Sequence, residues 1–162
     1  MKGLLLWVIL LGIFISFADL SAQLIGGGFV ERSFESTEAR DGLGAELGLE
    51  VAFLPVDVFI SGTHFPATHQ DPSNREWSLG ARATIIPIPF LNSYMLGGLN
   101  LKEYRGSASG KTGSEDGHFL GAGVSATLRS FKVYAESKYA FQSTSSMRIR
   151  LGASLLWGGL NF

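Results

Sequence analysis

Cysteine is absent from the 162-residue sequence, and charged residues are scarce. The lack of cysteine excludes a disulfide framework, a Cys-ligated zinc site, a thiol nucleophile and lipidation of an N-terminal cysteine. Charged residues make up only 17% of the chain, whereas soluble domains average about 25%. The net charge of −1 argues against a nucleic-acid partner, because phosphate backbones require a basic surface. At this length we expect a single domain.

Glycine and apolar residues, in contrast, are abundant. The sequence contains 21 glycines, and 46% of its residues are hydrophobic. Average glycine usage is only about 7%, and disordered chains are poor in apolar residues. The composition therefore predicts a folded chain in which glycine has a recurrent structural use.

Residues 1–22 show the three regions of a secretory signal peptide. Met1-Lys2 is a short positive start, Gly3 to Phe17 is uncharged, and Ala18 to Ala22 is small and polar. The uncharged run falls short of the roughly 20 residues that a membrane-spanning helix needs, so a retained helix is the less favoured alternative. We predict cleavage after Ala22, with a cut after Ala18 as the alternative, and a mature domain of residues 23–162.

From residue 42 onward, apolar side chains recur at every second position. In the first such segment one face carries Leu43, Ala45, Leu47, Leu49, Val51 and Phe53, and the other carries Gly44, Glu46, Gly48, Glu50 and Ala52. A period of two indicates a β-strand. The alternation continues in segments near 56–61, 77–85, 94–102, 120–128, 132–141 and 148–157. A Gly-rich segment from Leu24 to Arg32, whose parity the pattern does not settle, completes eight predicted strands.

The connections between these segments alternate in length. Those after the second, fourth and sixth strands are tight, at Leu54-Pro55, 87–89 and Arg129-Ser130, whereas 33–41, 65–74 and 105–117 are long and polar, and 142–146 is shorter. Outer-membrane barrels have short periplasmic turns and longer external loops. We therefore predict an all-β, eight-stranded, antiparallel up-and-down transmembrane β-barrel with both termini periplasmic.

Two features indicate that the apolar face points outward and the charged face inward. Glycines recur on the polar face, where small residues suit a narrow lumen. Aromatic residues lie near both ends of the apolar face and predict two girdles at the membrane interfaces: Phe53, Phe90, Phe131 and Trp157 by the short turns, and Trp77, Tyr139 and Phe141 toward the long loops. The predicted lumen holds Glu46, Glu50, Asp57, Arg82, Lys102, Lys132, Glu136, Lys138, Arg148 and Arg150. Buried charges are costly unless paired, so we expect a salt-bridge network that closes the barrel.

The pattern resembles the small outer-membrane β-barrel family that includes the OmpA membrane domain. The residues that carry the resemblance are Gly121-Ala122-Gly123-Val124, the run from Val133 to Phe141, Leu151-Gly152-Ala153 and Phe162. The resemblance implies that the last strand and Phe162 act as the signal read by the barrel-assembly machinery. Leu160 and Phe162 are out of step with Ile149 to Trp157; either a bulge at Gly158-Gly159 restores the parity, or the last residues form a short tail.

The functional prediction is a structural or surface-interaction role at the outer membrane, as a monomer without a cofactor and with an unidentified loop partner. Arg32, Lys102, Arg105 and Lys111 lie toward the external end and could hold lipopolysaccharide phosphates. His64, His69 and His118, with Asp71, lie near the same rim, but their spacing matches no known metal site. No catalytic residue is assigned. The alternatives are a lipid A acyl hydrolase or transferase, a narrow-pore channel and a soluble ligand-binding barrel.

Overall fold

The computed structural model describes residues 21–35, 38–51, 54–68, 73–88, 90–105 and 113–161. In these residues the chain forms eight antiparallel strands, each paired with its neighbours in sequence, and β1 pairs with β8 to close the barrel. This architecture confirms the predicted all-β barrel. The strands are β1 (Ser21–Glu35), β2 (Glu38–Val51), β3 (Val56–Phe65), β4 (Ser73–Ile88), β5 (Leu91–Arg105), β6 (Gly113–Leu128), β7 (Phe131–Phe141) and β8 (Ser146–Asn161). Within the described residues no helix has the length and apolar composition needed to cross a bilayer.

The strands are strongly tilted. A row of paired residues that leaves β1 at Leu24 passes through Leu49, continues around the barrel and returns to β1 at Phe34, ten residues further along the chain (34 − 24). With this stagger the strands tilt by about 40° from the barrel axis. Ten residues at that tilt rise roughly 25 Å, which is the height of the apolar band of a membrane barrel.

The connections differ from the expectation at one end of the barrel. The predicted long loop 33–41 is mostly strand, since β1 continues to Glu35, β2 begins at Glu38, and Arg32 pairs with Asp41. The remaining connections at this end are 66–72, 106–112 and 142–145, and those at the other end are 52–55, 89–90 and 129–130. Polar side chains do not end these strands, because backbone pairing between β1 and β2 does not depend on apolar side chains. The two strands therefore extend into a segment whose composition resembles a loop.

A bulge in β8 accounts for the mismatch near the end of the chain. Gln23 pairs with Gly159 and Leu24 with Trp157, so the register shifts at Gly158. Beyond this shift Leu160 is in register with Ala22. The bulge predicted at Gly158-Gly159 is therefore present. Residues 1–20, which make up most of the predicted leader 1–22, lie outside the described residues, as do Phe53, His69, Asp71, Lys111 and Phe162, whereas Ser21 and Ala22 belong to β1.

Candidate functional site

The outer surface of the barrel is apolar over most of its height. Large hydrophobic side chains that alternate out of the strands are exposed, from 37% at Phe141 to 69% at Leu43. The structure also settles the parity of β1, in which Ile25 and Phe29 point inward and Val30 outward. The apolar face of every strand is thus the exposed one, which is the reverse of a soluble barrel.

Aromatic side chains border this apolar band at both ends. Phe90, Phe131 and Trp157 are exposed near the short connections, and Trp77, Tyr139 and Phe141 are exposed toward the longer ones. Tyr139 and Phe141 pack edge to face with ring centroids 4.9 Å apart. At the second ring and beyond it, on the loop side, polar residues take outward positions: Arg32, Asp41, His64, Arg75, Glu103, Asp116 and His118. The outer surface is therefore layered along the barrel axis.

The interior contains a buried ion-pair cluster around Arg82. Its guanidinium donates to Glu136 through Nε and to Glu46 through a terminal nitrogen, both at 2.7 Å, and lies 3.6 Å from Asp57. Tyr94 also donates to Glu136, at 3.0 Å. Arg82 is 4% exposed and stacks over an interior phenylalanine ring 4.1 Å away. One cation thus holds three carboxylates from three other strands.

A second cluster lies nearer the loop side. Arg148 contacts Glu31 and Glu76, and Lys138 lies 3.3 Å from Glu31. Arg150 joins the two clusters, since it lies 2.7 Å from Glu31, 3.7 Å from Glu46 and 3.8 Å from Glu136. Among the described side chains the interior ion pairs involve six cations and six carboxylates, so the network is neutral. The cations are Arg82, Lys102, Lys132, Lys138, Arg148 and Arg150, and the carboxylates are Glu31, Glu35, Glu46, Asp57, Glu76 and Glu136.

The interior glycines make room for interior aromatic rings. A Cβ added at Gly44 would lie 2.2 Å from the ring of Phe29, and one at Gly152 would lie 2.3 Å from the ring of Tyr134. Such distances are far below van der Waals contact, so the rings lie directly over the backbone of the neighbouring strand. The glycine content of the polar face therefore reflects close packing inside the barrel.

The structure places the predicted lumen residues inside the barrel, and it adds partners that the sequence did not indicate. The sequence pattern does not identify Glu31, because it leaves the parity of the first strand open. It assigns Glu35 to the loop 33–41 and begins the fourth strand at residue 77, after Glu76. Glu50 is half-buried at the short-connection end, where it lines a polar mouth of about 530 Å³. An apolar cluster was also missed; it contains Phe59, Tyr94, Leu96, Phe119 and Ala140. Alternation assigns inward positions to the polar face, so it does not predict that some of these positions carry apolar side chains that pack together.

Of the four basic residues expected at the external end, one lies inside the barrel and another is already paired at the rim. Lys102 is 2% exposed and pairs with Glu35 at 2.5 Å inside the barrel. Arg32 forms a bidentate pair with Asp41, both contacts being 2.7 Å. The backbone of Arg105 ends β5. The expectation of a basic group free to bind phosphate therefore fails for Lys102, because its ammonium is enclosed.

Charged contacts beyond the apolar band also tie the strand ends together. The hydrogen bond from Arg32 lowers the pKa of the exposed Asp41 carboxyl. Burial alone would raise the pKa of Glu115, but hydrogen bonds from Ser143 and Tyr104 outweigh it and hold that pKa below the ordinary value. Glu115 thereby links β6 to the 142–145 connection.

The two described rim histidines, His64 and His118, do not come together. His64 is on β3 and His118 on β6, where its ring stacks on Phe141 with centroids 4.9 Å apart. Over the described ranges no group of three or more His, Asp or Glu side chains is arranged to hold a metal ion. His64 and His118 therefore lie at separate places on the outer rim.

The closed barrel, its stagger and its layered surface define a class of protein: the small eight-stranded barrels of the outer-membrane type. Structural comparison shows the same fold in the N-terminal β-barrel domain of Pseudomonas aeruginosa OprF. The TM-score is 0.69 and the sequence identity 18%, over 85% of this chain and 98% of that one. The predicted resemblance to small outer-membrane barrels is therefore confirmed at the level of fold.

Further solved structures share this architecture. Ail, the attachment invasion locus protein of Yersinia pestis, solved in complex with the heparin analogue sucrose octasulfate, matches with a TM-score of 0.59 and 16% identity over 86% of this chain and all of that one. Neisserial surface protein A matches with a TM-score of 0.56 and 14% identity over 85% and 96% of the two chains. No family model and no curated protein matches the sequence.

Proposed function

We propose that this chain is an integral outer-membrane β-barrel protein with a structural or surface-interaction role. The observation that carries the proposal is the exposure pattern: hydrophobic side chains cover the outside while paired charges fill the inside. In water, contiguous apolar patches beyond a few hundred Å² promote aggregation. In a bilayer the same surface contacts acyl chains. Lipid offers no hydrogen-bond partners, and in the closed barrel the backbone N–H and C=O groups of each strand pair with those of its two neighbours.

The connections support an orientation for the barrel. Bacterial outer-membrane barrels keep short turns in the periplasm and longer loops outside. By this rule the 89–90 and 129–130 connections are periplasmic, and 66–72, 106–112 and 142–145 are external. The predicted leader would deliver the chain across the inner membrane, and the terminal Phe162 would present it to the assembly machinery.

The filled lumen favours a closed barrel over a pore. Arg82 and Arg148 are each at most 4% exposed and cross the interior to reach Glu136 and Glu76 on strands that do not pair with their own. Ion passage would require these buried pairs to separate, which is costly because each charge would then lack a partner. The proposal therefore assigns the functional surface to the loops and the outer face.

Heat modifiability in detergent gels tests the proposal. A closed membrane barrel stays folded in an unheated sample and migrates differently after boiling, because only boiling breaks its closed ladder. Fractionation of the producing cells should place the same band in the outer-membrane pellet. Recovery of the protein in the periplasmic extract, with identical migration before and after boiling, would instead support a soluble barrel.

A further inference from the structure

Two grooves flank Trp77 on the outer face, just below the polar rim. The larger, about 660 Å³, lies across β2, β3 and β4. The small residues Ala45 and Gly62 lie between its bulky walls, and the ring of Trp77 covers Gly62, where a Cβ would lie 3.0 Å from that ring. The walls comprise Leu43, Leu47, Ile60 and Trp77. Its size lies within the ordinary range of ligand pockets, about 300–1,000 Å³.

The loop-side end of the larger groove is basic. His64 and Arg75 line it, both are exposed, and they are direct partners in the β3–β4 ladder. Among the described residues Arg75 forms no ion pair, although Glu103 is its ladder partner on β5. Arg32, at the same rim, already has both donor edges occupied by Asp41. The guanidinium of Arg75 is therefore available to an external anion.

The smaller groove, about 490 Å³, has the opposite charge at its rim. It lies between Trp77, Leu79 and Leu99, and Asp116 lines its loop-side end. A carboxylate there repels a phosphate, so the two grooves differ in the headgroup that they accept.

We propose that the larger groove binds one acyl chain of a lipid with an anionic phosphate headgroup, and that Arg75 and His64 hold the phosphate. The proposal rests on the proposed membrane location. The guanidinium offers paired N–H donors that match two phosphate oxygens, and a ring N–H of His64 can donate to a third. The acyl chain lies over Ala45, the small residue between Leu43, Leu47 and the Trp77 ring that covers Gly62. A free phosphate ion would use the rim but leave the groove empty.

Fluorescence of Trp77 provides a direct test. The sequence contains three tryptophans, so the full chain with Trp7→Phe and Trp157→Phe retains Trp77 alone. This protein is reconstituted into phosphatidylcholine vesicles. Part of the lipid is then replaced by phosphatidylglycerol brominated near the headgroup, or by equally brominated phosphatidylcholine. We expect the apparent affinity for the anionic lipid to exceed that for the zwitterionic lipid by about three- to fivefold, the range of one exposed charge-assisted contact.

Three variants separate the site from general surface charge. Arg75→Gln should bring the preference close to one, and Ala45→Leu, which fills the groove without altering charge, should do the same. Arg32→Gln removes another exposed arginine, one whose guanidinium is already paired with Asp41, and this variant should retain the preference for the anionic lipid. The heat-modifiable gel shift verifies that each variant is folded.

The possible outcomes distinguish the site from the membrane proposal. Equal quenching by the two brominated lipids in the parent protein would overturn the site and leave the membrane location standing. Equal loss of preference in the Arg75 and Arg32 variants would also overturn it, because net charge alone would then explain the effect. If neither brominated lipid quenched Trp77 fluorescence, the proposed membrane location would itself be contradicted.

Discussion

Replacement of Arg82 by methionine should destabilise the barrel severely. Arg82 is 4% exposed and hydrogen-bonded to Glu46 and Glu136 at 2.7 Å, so Arg82→Met preserves much of its bulk but leaves carboxylates buried without their main partner. Breaking a buried ion pair from one side costs about 3–5 kcal/mol. The nearest remaining cation, Arg150, lies 3.7 and 3.8 Å from the same two carboxylates and already pairs with Glu31.

Urea unfolding of the barrel in detergent micelles, followed by tryptophan fluorescence, measures this effect. With a slope of about 2 kcal/mol per molar urea, the expected loss lowers the midpoint by roughly 2 M. Glu136→Gln in the Arg82→Met background should recover part of the loss, because one of the stranded charges is removed. Arg32→Met is the matched control, and its midpoint should not move. Equal midpoints for Arg82→Met and Arg32→Met would refute the reasoning that the interior pairs are desolvated and mutually dependent.

Other consequences of the structure can be tested in the same preparations. Gly44→Ala should lower the unfolding free energy by about 1–3 kcal/mol through overpacking, since its Cβ would lie 2.2 Å from an interior ring; Gly28→Ala, whose nearest contact would be 3.6 Å away, should behave as the parent. Because the pKa of Glu115 is lowered in the fold, its stabilising contacts persist above the ordinary carboxyl pKa and are lost as the pH falls through the lowered value. The Ser143 amide resonance should therefore shift only at pH values below the ordinary carboxyl pKa in the parent, and not in Glu115→Gln; a shift that persists in the variant contradicts this assignment. Purified protein incubated with lipid A should release no fatty acid; release that disappears with His118→Ala would establish the enzymatic alternative.

Much of the architecture is predictable from local pattern. The alternation of Leu43, Leu47 and Leu49 with Glu46 and Glu50 predicted both the strand and the two faces. The excess of glycine on the charged face favoured a narrow interior, and the rings of Phe29 and Tyr134 over Gly44 and Gly152 show what that space contains. The predictions failed where polarity was taken to mark loops, since β1 and β2 remain paired through the polar segment near Arg32.

The candidate site was less predictable than the fold. Inward position identified Arg82, Glu46 and Glu136 as lumen residues, but no sequence spacing indicates that they meet. Arg82 and Glu136 are 54 residues apart and lie on strands that do not pair. Similarly, only the neighbouring strands reveal that Arg32 is paired with Asp41 while Arg75 lacks an ion-pair partner among the described residues.

The sequence by itself determined which side chains share a face, because a strand sends alternate residues to opposite sides whatever lies beside it. It also indicated that these strands succeed one another as an up-and-down meander, because tight connections alternate with longer polar ones. The tertiary structure decided which charges meet. Closing the sheet with a stagger of ten residues sets the height of every strand relative to those across the lumen, and contacts over that distance depend on closure and tilt rather than on any local preference.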